Sequence, residues 1–275
     1  MMASIRRAAH LLATASSFFS FFLGAIVLSY AVLPIAWLLG GGRAARARRC
    51  RRVVSRTWVL FHDYMRVLAL IDYDPRAVRL RLPRGPCILI ANHPTLVDVT
   101  ALAAAVPDLV FVAKQAMFRN PVVGPLLRLC RHIPGGDGSP FGGAAVVEQT
   151  LDRLRDGAPV LIFPEGTRSP ARGLHPFRPG AFRIATQAGV EIVPVVITCD
   201  PPTLLKGQAW YAIPKERATL RVCRLLDTPL RDPPRDAATL LQESYAAYLG
   251  GGGRACVASG SRLDPAPAPL HDAPL

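Results

Sequence analysis

The stretch Cys87-Ile88-Leu89-Ile90-Ala91-Asn92-His93-Pro94-Thr95-Leu96-Val97-Asp98-Val99 decides the fold. Its first five residues form an unbroken apolar run, with the length and β-branched content that predict a buried strand over 87–91. Asn92-His93-Pro94 ends the run, and the pattern from Thr95 to Ala105 predicts a helix. A histidine therefore falls where a strand hands over to a helix. In open α/β sheets, ligands bind outside the carboxyl ends of strands. Residues five apart on an ideal helix are rotated by roughly 140°, so His93 and Asp98 meet only if His93 precedes the helix and Asp98 lies in its first turn. Pro94 suits that start. Asp98 would then hold one imidazole nitrogen and leave the other free to take a proton. Thr95 and Asp98 equally fit a capping box, in which His93 is an ordinary loop residue.

Toward the C-terminus the α/β alternation continues. A second strand is expected over Leu109–Ala113, followed by Lys114, then a helical stretch from Met117 to Cys130 interrupted at Pro121 and Pro125. The glycine-rich segment 133–143 lacks the GK[ST] of a P-loop. A helix near 144–156 leads to a strand over Val160–Phe163, which ends in Phe163-Pro164-Glu165-Gly166-Thr167-Arg168-Ser169. This turn concentrates one carboxylate, two hydroxyls and one guanidinium. Arg168 offers a planar fork that matches a phosphate, although a solvated Arg–Glu turn is the plainer use. Phe177-Arg178-Pro179-Gly180 opens a helix to about Ala188. Strands over Ile192–Ile197 and near 219–226 follow, then a helix near 236–249. From Gly250 the chain is rich in Gly, Ala and Pro, without periodicity, and is expected to be disordered.

Toward the N-terminus, no charged residue lies between Arg7 and Arg43, and Leu11–Leu39 is apolar enough and long enough to span a bilayer. A cleaved signal peptide would be shorter. Both flanks are basic. The heavier one, from Arg43 to Arg56, should face the cytoplasm. The alternative is a segment that breaks near Gly24 or Pro34 and re-enters. Such an arginine cluster beside a membrane segment attracts anionic lipid, at about 1 kcal/mol per residue. Val53–Leu70 reads as an amphipathic interfacial helix, lying on the membrane or on the domain, with His62 and Asp63 as interfacial polar residues. The expected organisation is 1–52 membrane anchor and polybasic flank, 53–79 amphipathic helix and linker, 80–249 α/β domain, and 250–275 disordered tail.

The bulk numbers agree. Of 275 residues, 51% are hydrophobic, and the mean hydropathy of +0.26 is high for a purely soluble chain. The net charge of +14 suits anionic partners such as lipid headgroups or phosphorylated substrates. Only three of the 33 basic residues are lysines, a bias that genome composition also produces. A DNA-binding arm fits poorly beside a membrane anchor, so no nucleic acid partner is expected. The six cysteines are dispersed, without zinc spacing, which suggests a reducing location. No metal site is expected. The absence of a G-x-S-x-G elbow argues against a serine hydrolase built on His93 and Asp98.

Two motifs together resemble the glycerolipid (lysophospholipid) acyltransferases of the bacterial 1-acylglycerol-3-phosphate acyltransferase type. They are the Asn-His-x4-Asp block at 92–98 and the Phe-Pro-Glu-Gly-Thr-Arg-Ser block at 163–169. Ala113-Lys114 with Phe118, Pro121 and Gly124, and Ile192–Val195, resemble weaker blocks of the same family. The similarity covers roughly residues 85–200. It implies a glycerol-phosphate acyltransferase-like α/β fold, with a mixed central sheet flanked by helices and an N-terminal membrane helix or re-entrant hairpin. It further implies transfer of an acyl group from acyl-ACP or acyl-CoA to a lyso-lipid hydroxyl in phospholipid biosynthesis, most simply on 1-acylglycerol-3-phosphate, without a cofactor. His93 would be the general base and Asp98 its support. Glu165, Gly166, Thr167 and Arg168 would bind the acceptor, with Lys114 and Arg178 as further cations. The implied location is the bacterial inner membrane, with the domain facing the cytoplasm. One departure stands out. The Ile133–Gly138 stretch lacks the arginine that follows the aspartate in the family's Ile-Asp-Arg block, so Arg131, His132, Arg178 or Lys114 would have to replace it. Otherwise the acceptor is a lipid without the phosphate, such as a lyso-aminolipid, or the chain is a non-catalytic lipid-binding homologue.

Overall fold

The computed structural model describes residues 2–78, 80, 82–136, 140–212, 214, 216–225 and 236–256. The apolar N-terminal run folds as α1 (Met2–Val27), a π-helical turn (Leu28–Val32) and α2 (Leu33–Leu38). Proline lacks the N–H that an α-helix needs, and the chain widens into the π turn just ahead of Pro34. The helix nonetheless continues through Gly24 and Pro34, so neither residue breaks the segment. Gly40 and Gly41, at φ +84° and +93°, reverse the chain. This left-handed backbone is open to glycine at little cost.

Helix α3 (Arg43–Val67) returns antiparallel to α1 and α2. Tyr64 Oη donates to Ser16 Oγ at 3.0 Å, Phe21 stacks on Trp58, and Arg49 Nη1 donates to the Ala36 carbonyl at 2.9 Å. The polybasic and amphipathic stretches are thus one helix, with no break at the expected 52/53 boundary. His62 is not interfacial. It is fully buried, and its Nε2 lies 3.1 Å from Thr100 Oγ1. Asp63 does stay near the surface, paired with Arg76.

Among the described residues, seven strands form one mixed sheet: β1 (Ile71–Asp72), β2 (Cys87–Ala91), β3 (Val110–Ala113), β4 (Ile133–Pro134), β5 (Val160–Ile162), β6 (Glu191–Asp200) and β7 (Ala218–Arg224), in the order β1-β7-β6-β2-β5-β3-β4. All neighbours are parallel except β6 and β7. The helices are α4 (Asp98–Ala105), α5 (Gln115–Arg119), α6 (Gly124–Leu129), α7 (Pro140–Arg155), α8 (Gly180–Ala188) and α9 (Ala237–Cys256). Strand β2 is central and buried throughout, which explains its unbroken apolar sequence. Cys87, Leu89 and Ala91 point into the core shared with α3, α4 and α6. Ile88 and Ile90 point into the opposite core, shared with α8 and α9.

Three expected boundaries shift. Strand β1 pairs with β7, so the sheet begins inside the segment read as a linker; a two-residue strand is too short to show periodicity. Strand β4 occupies the start of the expected glycine-rich loop. Helix α9 runs to Cys256, past the expected start of the tail at Gly250, and the rest of that tail, 257–275, lies outside the described residues. Cys50, Cys87, Cys130 and Cys199 carry free thiols. Cys223 is disulfide-bonded, contrary to the expectation from dispersed cysteines.

Candidate active site

The site is built on the carboxyl ends of β2, β5 and β6, three neighbours in the sheet. Beyond β2, Asn92 closes the strand ends: its Nδ2 donates to the Ile197 carbonyl at 2.8 Å, and its Oδ1 accepts the Ile197 N–H at 2.7 Å. His93 follows, and α4 starts only at Asp98, three residues later than the expected Thr95.

The delayed start brings the dyad together, with His93 Nδ1 2.8 Å from Asp98 Oδ2. The same carboxylate accepts the Thr95 N–H at Oδ2 (2.8 Å) and the Thr95 hydroxyl at Oδ1 (2.6 Å). The two uses of Asp98 that the sequence left open are therefore combined: the local Thr95 contacts hold the carboxylate that holds the imidazole. Asp98 is fully buried, while the His93 side chain keeps 18% of its surface open. An ionised carboxylate only accepts, so the proton sits on Nδ1 and Nε2 is left with a free lone pair.

The second motif wraps the first. Phe163 stacks on the His93 ring, with centroids 4.1 Å apart. Ser169 Oγ accepts the His93 N–H at 2.9 Å, and the Ser169 N–H donates to the His93 carbonyl at 2.8 Å. The buried Glu165 accepts the Ser169 hydroxyl and the His175 N–H, so it braces the turn rather than facing open space. Gly166 is left-handed at φ +70°, and a Cβ there would stand 2.9 Å from Arg178 Nε. The Arg178 side chain therefore lies across Gly166. Arg168 Nη1 donates to the Leu204 carbonyl at 3.2 Å, and the Thr167 hydroxyl accepts from Lys206 Nζ at 3.0 Å. Lys114 stands at the same edge of the sheet, just beyond β3, with an exposed side chain.

Two residues considered as replacements for the missing arginine lie elsewhere. Arg131 precedes β4, at the opposite edge of the parallel sheet, and is paired with Asp156 at 2.6 Å. His132 is buried against the Phe111 ring, and burial with two nearby arginines holds its pKa well below the ordinary value. Phe163 and Ser169 were legible only as parts of a motif. Leu204 and Lys206 carried no signal, because nothing in their local sequence ties them to a turn some forty residues away.

Residues 76–198 match the family model described as Acyltransferase. A 1-acyl-sn-glycerol-3-phosphate acyltransferase of Pseudomonas aeruginosa is 30% identical over 146 residues, 52% of this chain and 56% of the relative. The Escherichia coli K12 enzyme of that name is 34% identical over 116 residues, 42% of this chain and 47% of the relative. A Chlamydomonas reinhardtii enzyme of that name is 35% identical over 115 residues, 42% of this chain and 35% of the relative. The chain thus spans between about a third and somewhat over half of the length of these relatives. The crystal structure of PlsC, the 1-acyl-sn-glycerophosphate acyltransferase of Thermotoga maritima, superposes with a TM-score of 0.67 at 18% identity, over 87% of this chain and 92% of that one. The fold is therefore shared over most of the chain.

Proposed function

We propose that this chain is a membrane-bound O-acyltransferase that moves a fatty acyl group from an acyl thioester, acyl-ACP or acyl-CoA, to the free hydroxyl of a lyso-lipid, 1-acylglycerol-3-phosphate above all. The observation that carries this proposal is the 2.8 Å His93–Asp98 contact at a strand end, with the imidazole edge left open.

His93 Nε2 removes the proton of the acceptor hydroxyl as its oxygen attacks the thioester carbonyl. Asp98 stabilises the imidazolium that forms. The tetrahedral intermediate collapses, the C–S bond breaks, and the departing thiolate takes the proton back from His93. General acid–base help of this kind contributes about 10²–10⁴-fold. A thioester is already activated, so this family of reactions needs no cofactor. In this reading Arg168 and Arg178, with Lys114 just beyond β3, offer cations to the acceptor and Thr167 a hydroxyl, while Glu165 and Gly166 hold the turn in shape.

The helix from Arg7 to Leu38 is long and apolar enough to cross a membrane, and only 22% of its most apolar window is buried in the protein. At 1.5 Å per residue its 32 residues reach about 48 Å, beyond the roughly 30 Å hydrocarbon core. We place the apolar helix Arg7–Leu38 in the bacterial inner membrane, with α3 and the active site on the cytoplasmic side. Liposome flotation of the full chain tests the attachment, and a soluble, unattached protein would overturn it.

The activity is tested by incubating the purified protein with lysophosphatidate and an acyl thioester and reading the diacyl product by mass spectrometry. His93→Ala is expected to abolish product without loss of fold. Turnover near the wild-type level in that variant would refute the mechanism.

A further inference from the structure

We infer that Lys206, on the loop after β6, is a phosphate-binding residue that adds a cation beside Arg168 in the acceptor site. This rests on the proposed acyl transfer to a phosphate-bearing lyso-lipid, and it identifies where the charge missing from the 133–138 stretch is recovered.

The loop after β6 is fastened to both motifs at one point. The Leu204 carbonyl accepts the Leu96 N–H at 3.2 Å, from between His93 and Asp98, and it also accepts Arg168 Nη1 at 3.2 Å. Leu204 is left-handed, at φ +54°. This backbone is uncommon for a branched side chain and persists only where surrounding contacts hold it. Two residues on, Lys206 reaches back to the Thr167 hydroxyl. The loop and the turn are thus laced reciprocally: an arginine of the turn binds the loop, and a lysine of the loop binds the turn. The result anchors the Lys206 ammonium on Thr167, the residue next to Arg168 in the turn.

Among the described residues the hydrogen bonds of these two groups go to a carbonyl and a hydroxyl and not to a carboxylate, so an anion would balance both charges. Glu165 does not serve, because its carboxylate faces Ser169 and His175. Arg168 has five N–H donors and Lys206 has three, and the single contacts described above leave most of them to a ligand. A phosphate monoester, with several acceptor oxygens, engages both cations. A neutral headgroup does not. Lys206 is exposed, so a lipid headgroup can reach it.

The experiment uses the full-length protein in mixed micelles with an acyl thioester and lysophosphatidate, comparing the wild type with Lys206→Ala, Lys206→Gln and Lys206→Arg. Loss of one charge-assisted contact is expected to raise the acceptor KM about 10- to 100-fold in the Ala and Gln variants, with the thioester KM and the thermal midpoint unchanged. Arg should restore most of the loss. A role as a mere latch on Thr167 would let Gln, which can still donate to that hydroxyl, behave like the wild type, and this outcome overturns the inference. A rise in the thioester KM instead of the acceptor KM overturns it as well. Wild-type protein that acylates no lysophosphatidate would refute the underlying function rather than the part played by Lys206 alone.

Discussion

His93 and Ser169 are bound to each other in both directions: the His93 N–H donates to Ser169 Oγ at 2.9 Å, and the Ser169 N–H donates to the His93 carbonyl at 2.8 Å. His93 and the 163–169 turn are therefore held together, although 76 residues separate His93 from Ser169 in the chain. Ser169→Ala removes the acceptor of the His93 N–H and one partner of the buried Glu165. Stability should fall by about 1–3 kcal/mol, because buried groups lose hydrogen bonds. The kcat should fall more than the acceptor KM rises, because the base is displaced. Steady-state kinetics beside a thermal melt test this, and an unchanged kcat would show that the coupling is not needed.

Gly166 permits both a left-handed turn and the Arg178 side chain lying across it. In Gly166→Ala the left-handed backbone costs about 1–2 kcal/mol, and the new methyl pushes the Arg178 side chain away. The acceptor KM should rise in Gly166→Ala and in Arg178→Ala. In the double variant the two effects should add to less than their sum, as expected of contacting residues. Full additivity in that cycle would mean that Arg178 does not act from its place over Gly166.

Tyr248 on α9 inserts its hydroxyl between β2 and β6, accepting the Val195 N–H at 3.1 Å within donating distance of the Ile90 carbonyl at 2.9 Å. Burial pushes its phenol pKa well above the ordinary value, so it stays a neutral bridge. Tyr248→Phe should destabilise the fold by about 1–3 kcal/mol, since it leaves a buried backbone donor unpaired. Chemical denaturation measures this, and a loss below a few tenths of a kcal/mol would refute the bridge.

His62 makes stability depend on pH. Burial holds its pKa near 4, against an ordinary 6.5. Above about pH 6.5 it is neutral in both folded and unfolded chains and contributes no slope. Between 6.5 and 4 only the unfolded chain takes up the proton, so stability falls as the pH falls. At 1.36 kcal/mol per pH unit, the full loss is about 3 kcal/mol. His132, also held neutral by burial, adds to the same acid loss. The contribution of His62 is isolated as the difference between wild type and His62→Leu in melts from pH 7 to 4.5, where the variant should show the shallower decline. Parallel curves would contradict it.

The sequence by itself determined the α/β class and the central strand, and it placed His93, Asp98 and the 163–169 turn at strand ends. Each of these is a local pattern: a buried strand with helices on both faces must be apolar throughout, and turn residues mark where such a strand stops, while the contact of His93 with Asp98 waited on where the helix starts. The apolar N-terminal run and its arginine-rich flank were legible for the same reason, since composition over 20 to 30 residues carries that signal. Only the tertiary structure decided that α3 returns along α1, that β1 pairs with β7, that His62 is buried, and that Leu204 and Lys206 close over the 163–169 turn. Those outcomes depend on contacts between residues far apart in the chain. A two-residue strand, a buried histidine in an arginine-rich helix, or a lone lysine in a loop has no periodicity of its own, and each acquires its role from the surface it meets once the sheet has formed.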